Sequence, residues 1–349
     1  MNFPRSAVYA SNRSWGHPFL LPDGKPNMPV IQQAAKHKTL TMDVPPWLSI
    51  EGDSKPEVLL QLRKANPTIR LVWYRIVVQH WLAPSVVPAA TALSFNDTLQ
   101  RRLRALNGWL LNDDGTPILY PGSALPWPLY IIDIARRDVT DMLLEMYLSI
   151  DRSSLFDRIA FLDVLGMGWL HAKEDAAGRM ANIERMVNAL EREGIRVIQN
   201  GIYAQTFNPS GSMVEMADYG SPSQFETARM KWEESRETES WLQWFVPDRT
   251  SATSARTARF AIGTGCLFGA NTSVGPNRSQ SVIYQGWEPW PEQMLNLGEP
   301  LGPATQTGGL WRRAFVHGTV YVNPTGAPLP RPDFVAVPPM DAAFVMVQR

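Results

Sequence analysis

Four carboxylates fall at or near the carboxyl ends of short apolar segments that are typical of β-strands. They are Asp43, Asp133, Asp163 and Glu215. Asp163 ends the apolar run IAFLD, and a glycine-containing turn follows it. A carboxylate beside a buried strand is costly unless it is paired, hydrogen-bonded or facing a polar cleft. Hydrolysis of a glycosidic bond needs two carboxyls in different environments, one protonated as the acid and one ionised as the nucleophile or base.

Each of these carboxylates also has a structural explanation. An aspartate after a strand is commonly a helix N-cap or a turn former. Asp133 precedes Arg136 and Arg137, which could pair with it, and Asp43 precedes a Val-Pro-Pro-Trp turn that it could shape. Glutamate is a poor turn former, so Glu215, between two apolar residues, is harder to explain in this way. Carboxylates occur at the ends of several predicted strands, and this recurrence predicts an active site more strongly than any single carboxylate does.

Other side chains near the same strand ends are candidate substrate ligands. Tyr74 lies late in one predicted strand, and Asn200 ends another. The chain has 13 tryptophans, several in loop-like segments beside prolines, where such rings either anchor loops or stack on sugars. The predicted substrate-binding residues are Asp43, Tyr74, Asp133, Asn200, Trp47, Trp73 and Trp169.

Other kinds of site find little support in the sequence. The five histidines show no HxH or HxxxH spacing, which argues against a zinc site. No serine lies in a G-x-S-x-G elbow, and Cys266 in GTGCLFG is typical of a small buried hydrophobic residue. The chain contains neither the GxGxxG nor the Walker phosphate-loop motif. We therefore expect neither a metal nor an organic cofactor.

The elements that must position these residues alternate between apolar β-type segments and amphipathic helical segments. Strands are predicted at 39–44, 69–78, 130–134, 159–164, 196–200, 213–216 and 259–263. Helices are predicted at 96–106, at about 174–193 with Gly194 at the C′ position, and in the charged run 225–245. Alternating strands and helices indicate βαβ units and a parallel sheet. This many units favour a closed barrel, in which the carboxyl ends of the strands converge on one face.

The predicted fold class is therefore α/β, a (β/α)8 TIM-like barrel with a small C-terminal β appendage. Residues 1–38 are predicted to be an N-terminal extension, 39–286 the barrel, and 287–349 the appendage packed on the barrel. An Asp-Gly turn between short apolar arms predicts an inserted hairpin at 109–120. Residues 200–213 leave no room for a crossover helix, so we expect a loop there.

The composition narrows the classes of partner. The 349 residues carry 33 basic and 33 acidic side chains without a long basic run, which argues against a nucleic-acid or anionic-membrane partner. One cysteine permits no intrachain disulfide. The N-terminus lacks the apolar core of a signal peptide, and no segment approaches the ~20 apolar residues of a membrane span. We expect a cytoplasmic protein or part of a phage particle, with a homo-oligomer or particle assembly both open.

Several longer segments resemble a known group of proteins. They are YIIDIARRDVTDMLLE, FDRIAFLDVLG, GIRVIQNG, GSMVEM, ARFAIGTGCLFGA and LGEPLGPATQTGGLWRRAFVHGTVYVNPTG. In this order they resemble the TIM-barrel glycoside hydrolases related to the endo-α-1,4-polygalactosaminidases, in particular a glycosyl-hydrolase-like group found in bacteria and phages. The last segment is the most specific, with its LGxPLGP stretch, arginine-rich strand and VNPT ending. The resemblance extends from about Thr39 to the C-terminus.

This resemblance implies roles for the predicted residues. The strand-four aspartate of the group falls on Asp163 and a later glutamate on Glu215. By analogy with related retaining α-glycosidases, Asp163 would be the nucleophile and Glu215 the general acid/base. Asp133 and Asn200 match the group's strand-three aspartate and strand-five asparagine, which implies that both position sugar hydroxyls. The group usually has Phe-Asp-Gly before strand four; here Arg158 replaces the glycine, so we expect a different turn into that strand.

Two functions are consistent with these residues. The first is hydrolysis of glycosidic bonds in a polysaccharide by Asp163 and Glu215. The second is a non-catalytic carbohydrate-binding or structural barrel, for example a phage particle component that grips a host surface glycan. The separation of the two carboxyls distinguishes them: roughly 5–5.5 Å is typical of a retaining hydrolase and roughly 6.5–9.5 Å of an inverting one. Because we expect Asp163 to face a cleft open to water, the Asp163→Asn variant should fold.

Overall fold

The structure is a computed structural model. It describes residues 4–10, 19–21, 23, 25–43, 57–77, 79–80, 85, 87–88, 94–119, 129–153, 156–163, 175–200, 210–216, 221–234, 239–276, 288–333 and 335–347. The chain divides into two compact units. Unit one comprises Met1–Thr41, Gln61–Arg70 and Gly211–Arg349, and unit two comprises Met42–Leu60 and Leu71–Ser210.

Strands and helices alternate through most of the described chain, so the predicted α/β class is confirmed. The strands are β1 (Arg5–Ala10), β2 (Thr39–Asp43), β3 (Arg70–Ile76), β4 (Gln79–His80), β5 (Tyr130–Ile131), β6 (Ile159–Asp163), β7 (Arg196–Asn200), β8 (Gly211–Met216), β9 (Glu239–Val246), β10 (Asn271–Pro276), β11 (Thr305–Thr307), β12 (Leu310–Phe315), β13 (Gly318–Asn323), β14 (Leu329–Pro330), β15 (Ala336–Val337) and β16 (Asp341–Met346). The helices are α1 (Met28–Ala34), α2 (Glu57–Ala65), α3 (Phe95–Leu106), α4 (Arg137–Ser153), α5 (Ala176–Arg192), α6 (Pro222–Glu234) and α7 (Ala252–Phe268), with a 3-10 helix at Pro291–Met294.

Unit two contains three parallel strands in the order β3, β6, β7. β6 is buried along its whole length, which explains the apolar run from Ile159 to Leu162. Helix α3 begins at the N-cap Ser94, whose side chain accepts a hydrogen bond from the Asp97 N–H. Helix α5 begins in the same way at Asp175, and Gly194 follows it at φ 79°, a conformation that favours glycine. The predicted helices at 96–106 and 174–193 are therefore confirmed.

Segment 130–134 differs from its prediction as a parallel strand. Only Tyr130–Ile131 forms a strand, β5, and it pairs antiparallel with β4. β3 pairs directly with β6, which leaves no place for β5 between them. Antiparallel bridges also join Leu111 to Pro117 across the Asp-Gly turn, where the hairpin is predicted, and Trp109 to Ile132. Asp133 therefore follows a short antiparallel strand and does not end a parallel one.

Unit one contains four parallel strands in the order β1, β10, β9, β8. Residues 1–38 were assigned to an extension outside the parallel strands. This part of the assignment is wrong, because β1 pairs with β10 from Arg5 onward. The strand was missed because its sequence, RSAVYA, is short and begins with two polar residues. At the amino end of β9, Glu239 accepts two hydrogen bonds from Arg70, at 2.7 and 3.0 Å, and one from Asn271 at 2.6 Å.

Two predicted elements of unit one are wrong. Segment 259–263, predicted as a strand, lies inside α7, where almost every residue from Thr257 to Phe268 is buried. A short apolar run does not distinguish a buried helix from a strand. Segment 225–245, predicted as a helix, contains the end of α6 at Glu234 and the start of β9 at Glu239.

The C-terminal residues of unit one form an antiparallel sheet in the order β11, β12, β13, β16, with a small β14–β15 pair. Helix α7 packs against this sheet at Gly263. A Cβ at Gly263 would lie 2.6 Å from the Ala342 Cβ and 2.9 Å from a Val322 methyl. Glycine therefore permits the close approach of the helix and the sheet. Among the described helices, none has the length and apolar character that crossing a membrane requires.

Candidate active site

The strand register of unit two brings three of the predicted site residues to one face of the sheet. Asp163 pairs with Asn200, and Tyr74 pairs with Phe161, two residues before Asp163. Side chains alternate between the two faces along a strand, so Tyr74, Asp163 and Asn200 share a face. The predicted convergence of strand ends is therefore confirmed for these three residues.

The Asp163 carboxylate accepts hydrogen bonds on both oxygens. The Tyr74 hydroxyl donates to Oδ2, and the Asn200 Nδ2 donates to Oδ1 at 3.4 Å. Asp163 is 1% exposed, and Tyr74 and Asn200 are each 2% exposed. The carboxylate is therefore buried and hydrogen-bonded. This differs from the expectation that Asp163 faces a cleft open to water. Donors to the charged form compensate for part of the cost of burying it.

Tyr74 was predicted as a sugar ligand, and in the structure its hydroxyl donates to Asp163. Its ring is packed against Phe161, with the centroids 5.5 Å apart. No sequence pattern links these two residues, since 89 positions separate Tyr74 from Asp163. The register of β3 on β6 establishes the contact.

Asp133 is half-buried and has a different environment from Asp163. Its backbone N–H donates to the Gly108 carbonyl at 3.0 Å. Burial raises the pKa of the Asp133 carboxyl from its ordinary value, Arg136 lowers that pKa in part, and the nearby carboxylates of Asp138 and Asp175 raise it. The Arg136 guanidinium itself pairs with Asp138. The predicted pairing with Arg136 is therefore electrostatic and not a direct ion pair.

The opposite face of β3 carries a buried polar cluster. Arg75 donates to the Asn96 Oδ1 at 2.9 Å and lies 3.2 Å from the His80 Nδ1. Burial, together with the nearby Arg75 guanidinium, holds the pKa of His80 well below its ordinary value. Trp73 is on this face as well, fully buried with its ring 5.5 Å from that of Tyr147. The prediction of Trp73 as a sugar-stacking platform is therefore wrong, because helix α4 covers it.

Other predicted residues lie partly or wholly outside the described residues. Trp47 and Trp169 are among these, as are the side chains of Asp43 and Glu215. The backbone places Asp43 at the end of β2 and Glu215 within β8, where its register partner is Gln243 of β9. Gln243 lies in the segment 225–245, which was predicted as a helix.

The turn before β6 contains Asp157 and Arg158. The Asp157 carboxylate accepts from the Leu71 N–H at 2.6 Å, and the Asp157 N–H donates to the Leu71 carbonyl at 2.8 Å. Arg158 donates to the Glu193 carbonyl at the end of α5. A cationic donor is favourable at a helix C-terminus, so the arginine supports the entry into β6 and lies at the opposite end of that strand from Asp163.

A surface pocket of about 690 Å³ in unit one contains none of the predicted site residues. Three of its four charged side chains are engaged: Arg259 pairs with Asp341, Glu288 pairs with Lys36, and Arg249 stacks over the Trp290 ring. The lining residues are Gln33, Arg249, Ala255, Arg259, Glu288, Trp290, Pro291 and Glu292. Within the described parts of both units, no three histidine, cysteine or acidic side chains are grouped as a metal site requires.

Solved structures similar to this chain are domains that act on glycosides. The glycoside hydrolase domain of PelA from Pseudomonas aeruginosa matches with a TM-score of 0.50 and 14% identity, over 81% of this chain and 98% of that one. The cyclic α-maltosyl-(1→6)-maltose hydrolase from Arthrobacter globiformis matches at 0.53 and 12%, over 98% of each chain. The maltogenic α-amylase AmyB from Thermotoga neapolitana matches at 0.52 and 9%, over 99% of this chain and 97% of that one.

The fold of this chain is similar to that of these glycoside hydrolase domains. At these identities the likeness concerns the fold alone. No protein-family profile matches the sequence, and no curated protein is similar to it. Any role of individual residues therefore depends on the geometry around Asp163.

Proposed function

We propose that this chain hydrolyses glycosidic bonds in a polysaccharide by a retaining mechanism, with Asp163 as the nucleophile and Glu215 as the general acid/base. The observation that carries this proposal is the buried Asp163 carboxylate, held by Tyr74 and Asn200 at the carboxyl end of β6 in a glycoside hydrolase fold. Both of these donors are neutral. They therefore favour an ionised carboxylate without cancelling the negative charge that attacks an anomeric carbon.

The proposal includes the architecture that positions the two carboxyls. We propose that the parallel strands form a (β/α)8 barrel, with Asp163 and Glu215 near the carboxyl ends of β6 and β8. The parallel strand orders β3-β6-β7 in unit two and β1-β10-β9-β8 in unit one support this arrangement. In such barrels the catalytic residues come from the carboxyl ends of different strands.

The finer assignments are part of the same proposal. The sequence segments quoted above support membership of the group related to the endo-α-1,4-polygalactosaminidases. Asp43, Asp133 and Asn200 would bind sugar hydroxyls, and Trp47 and Trp169 would stack on sugar rings. Asp133 is half-buried, and its carboxylate oxygens can accept hydrogen bonds from sugar hydroxyls.

The experiment is release of reducing ends from a panel of bacterial surface polysaccharides by the wild type, Asp163→Asn and Glu215→Gln. We expect cleavage by the wild type and a loss of at least about 10³-fold in each folded variant, because removal of a nucleophile or acid/base abolishes a chemical step. Asp133→Asn is the matched control for a carboxyl-to-amide change, with a smaller expected loss. Glycan binding without cleavage would contradict the proposal and favour the non-catalytic barrel.

A further inference from the structure

The surface pocket of unit one contains polar side chains that the protein itself does not satisfy. Gln33 of α1 and Glu292 of the 3-10 helix both line it. In the described part of the chain, the Gln33 amide and the Glu292 carboxylate form no hydrogen bond and no ion pair. The pocket volume of about 690 Å³ is in the range of small-molecule sites. A bound molecule can therefore supply partners that the protein does not.

Arg259 of α7 is a donor of fixed orientation in the same pocket. Its Nε and Nη2 donate to the two oxygens of the buried Asp341 carboxylate, at 2.9 and 2.7 Å. Two parallel hydrogen bonds of this kind fix the plane of a guanidinium. Among the described residues, no group accepts a hydrogen bond from Nη1 of Arg259. This nitrogen therefore remains available to a ligand.

Arg259 and Glu292 are close to each other but are not joined. The hydrogen bond to Asp341 raises the pKa of Arg259, burial lowers it in part, and the charges of Asp341 and Glu292 raise it further. Where the structure describes unit one, Arg259 and Glu292 form no ion pair with each other. A hydroxyl group both accepts from a guanidinium and donates to a carboxylate, so one hydroxyl can bridge the two. Glu292 would repel an anion in that position, and Arg259 would repel a cation.

The rest of the lining combines apolar surface with balanced charge. Trp290, Ala255 and Pro291 supply the apolar part. The Trp290 indole N–H donates to the Val274 carbonyl of β10 at 3.3 Å, and the Arg249 guanidinium lies 4.4 Å from the centre of the Trp290 ring. The charged lining residues are two arginines and two glutamates, so their net charge is zero. A sugar ring matches this lining, because it is neutral and has both hydroxyl groups and apolar C–H surface.

We propose that this pocket is a non-catalytic binding site for a neutral sugar unit of a glycan, and that Arg259, Glu292 and Gln33 bind its hydroxyls. The site retains a glycan on the protein and takes no part in breaking its bonds. This inference goes beyond the proposed function and does not depend on it, because a chain that cuts no glycan can hold one in this pocket.

The test is a titration observed at the Ala255 methyl group, which lines the pocket. The full chain is labelled with carbon-13 in its alanine methyls, and the Ala255 signal is assigned by its loss in Ala255→Ser. The probes are three neutral trisaccharides (maltotriose, cellotriose and mannotriose), the anionic trigalacturonate and the cationic triglucosamine. We expect a saturable shift of the Ala255 signal with at least one neutral trisaccharide, and weaker binding of both charged ones.

Two variants locate the bound sugar. Gln33→Ala should raise the Kd of that trisaccharide by about 3-fold and Glu292→Ala by about 10-fold, because a hydrogen bond to a charged group is the stronger. Both variants should fold, since neither substitution removes a side-chain hydrogen bond present among the described residues. Gln32→Ala is the matched control, because Gln32 is the preceding residue of α1, is exposed and does not line the pocket. Its Kd should equal that of the wild type.

An Ala255 signal that shifts with none of the three neutral trisaccharides would overturn the assignment. Tighter binding of a charged trisaccharide would overturn it as well, as would an unchanged Kd in both pocket variants or an equal loss in Gln32→Ala. The titration requires no cleavage, so its outcome is separate from that of the proposed function. Glycan cleavage by a chain whose Ala255 signal does not shift would contradict this site and leave the hydrolase standing.

Discussion

Asp163 binds two neutral donors, and this choice of partners has a chemical consequence. A cationic partner would stabilise the buried carboxylate but would also oppose the positive charge that develops at the anomeric carbon. Hydrogen bonds from Tyr74 and Asn200 reduce the cost of burial, and neither donor brings a positive charge to the carboxylate. The environment therefore suits a nucleophile better than a general acid.

The buried cluster of Arg75, Asn96 and His80 predicts that the free energy of unfolding depends on pH. Burial and Arg75 hold the pKa of His80 well below its ordinary value of about 6.5. The unfolded chain therefore binds a proton that the folded chain does not, once the pH falls below about 6.5. The stabilisation from neutral His80 is complete above that pH and is lost as the pH falls.

We expect the free energy of unfolding to decrease between pH 6.5 and 5, by up to about 1.4 kcal/mol per pH unit from this group. Urea unfolding at a series of pH values measures this slope. His80→Asn retains an acceptor for Arg75 but does not titrate, so its slope over that range should be smaller. If the free energy of unfolding falls with pH as steeply in His80→Asn as in the wild type, His80 is not the cause of the pH dependence.

At the scale of the elements, the contact of α7 with the C-terminal sheet depends on one glycine. Because a Cβ at Gly263 would meet Ala342 and Val322 at less than 3.0 Å, Gly263→Val should lower the free energy of unfolding by about 1–3 kcal/mol. Chemical denaturation with tryptophan fluorescence measures this loss. Gly326→Val is the control, since no heavy atom lies within 4 Å of the Cβ there. Similar losses in both variants would contradict this account of the packing.

The sequence predicted amphipathic elements better than fully buried ones. Helices α3 and α5 have clear caps and a polar face, and their predicted bounds agree with the structure within about two residues. Helix α7 is buried on nearly every side, so it lacks the polar face that marks a helix, and its run at 259–263 was predicted as a strand. The segment 130–134 has the composition of a strand, but pairing of β3 with β6 excludes it from the parallel strands.

At the scale of the whole molecule, the candidate site could be predicted in part because strand ends carry positional information. Asp163 and Asn200 were expected together from the ends of two apolar runs, and their register pairing bears this out. The role of Tyr74 depends on which strand lies beside β6, and the burial of Trp73 depends on which helix covers β3. Such facts arise from tertiary packing and leave no pattern in a single sequence.

The central claim, that Asp163 is the nucleophile, is tested most directly by chemical rescue of Asp163→Ala with azide on an aryl glycoside of the cleaved sugar. Azide can occupy the space of the deleted carboxylate and attack the anomeric carbon from the same side. We predict recovered turnover and a glycosyl azide with inverted anomeric configuration, whereas Glu215→Ala should give the retained configuration. Failure of azide to rescue a folded Asp163→Ala protein, or a retained product from it, would contradict the assignment.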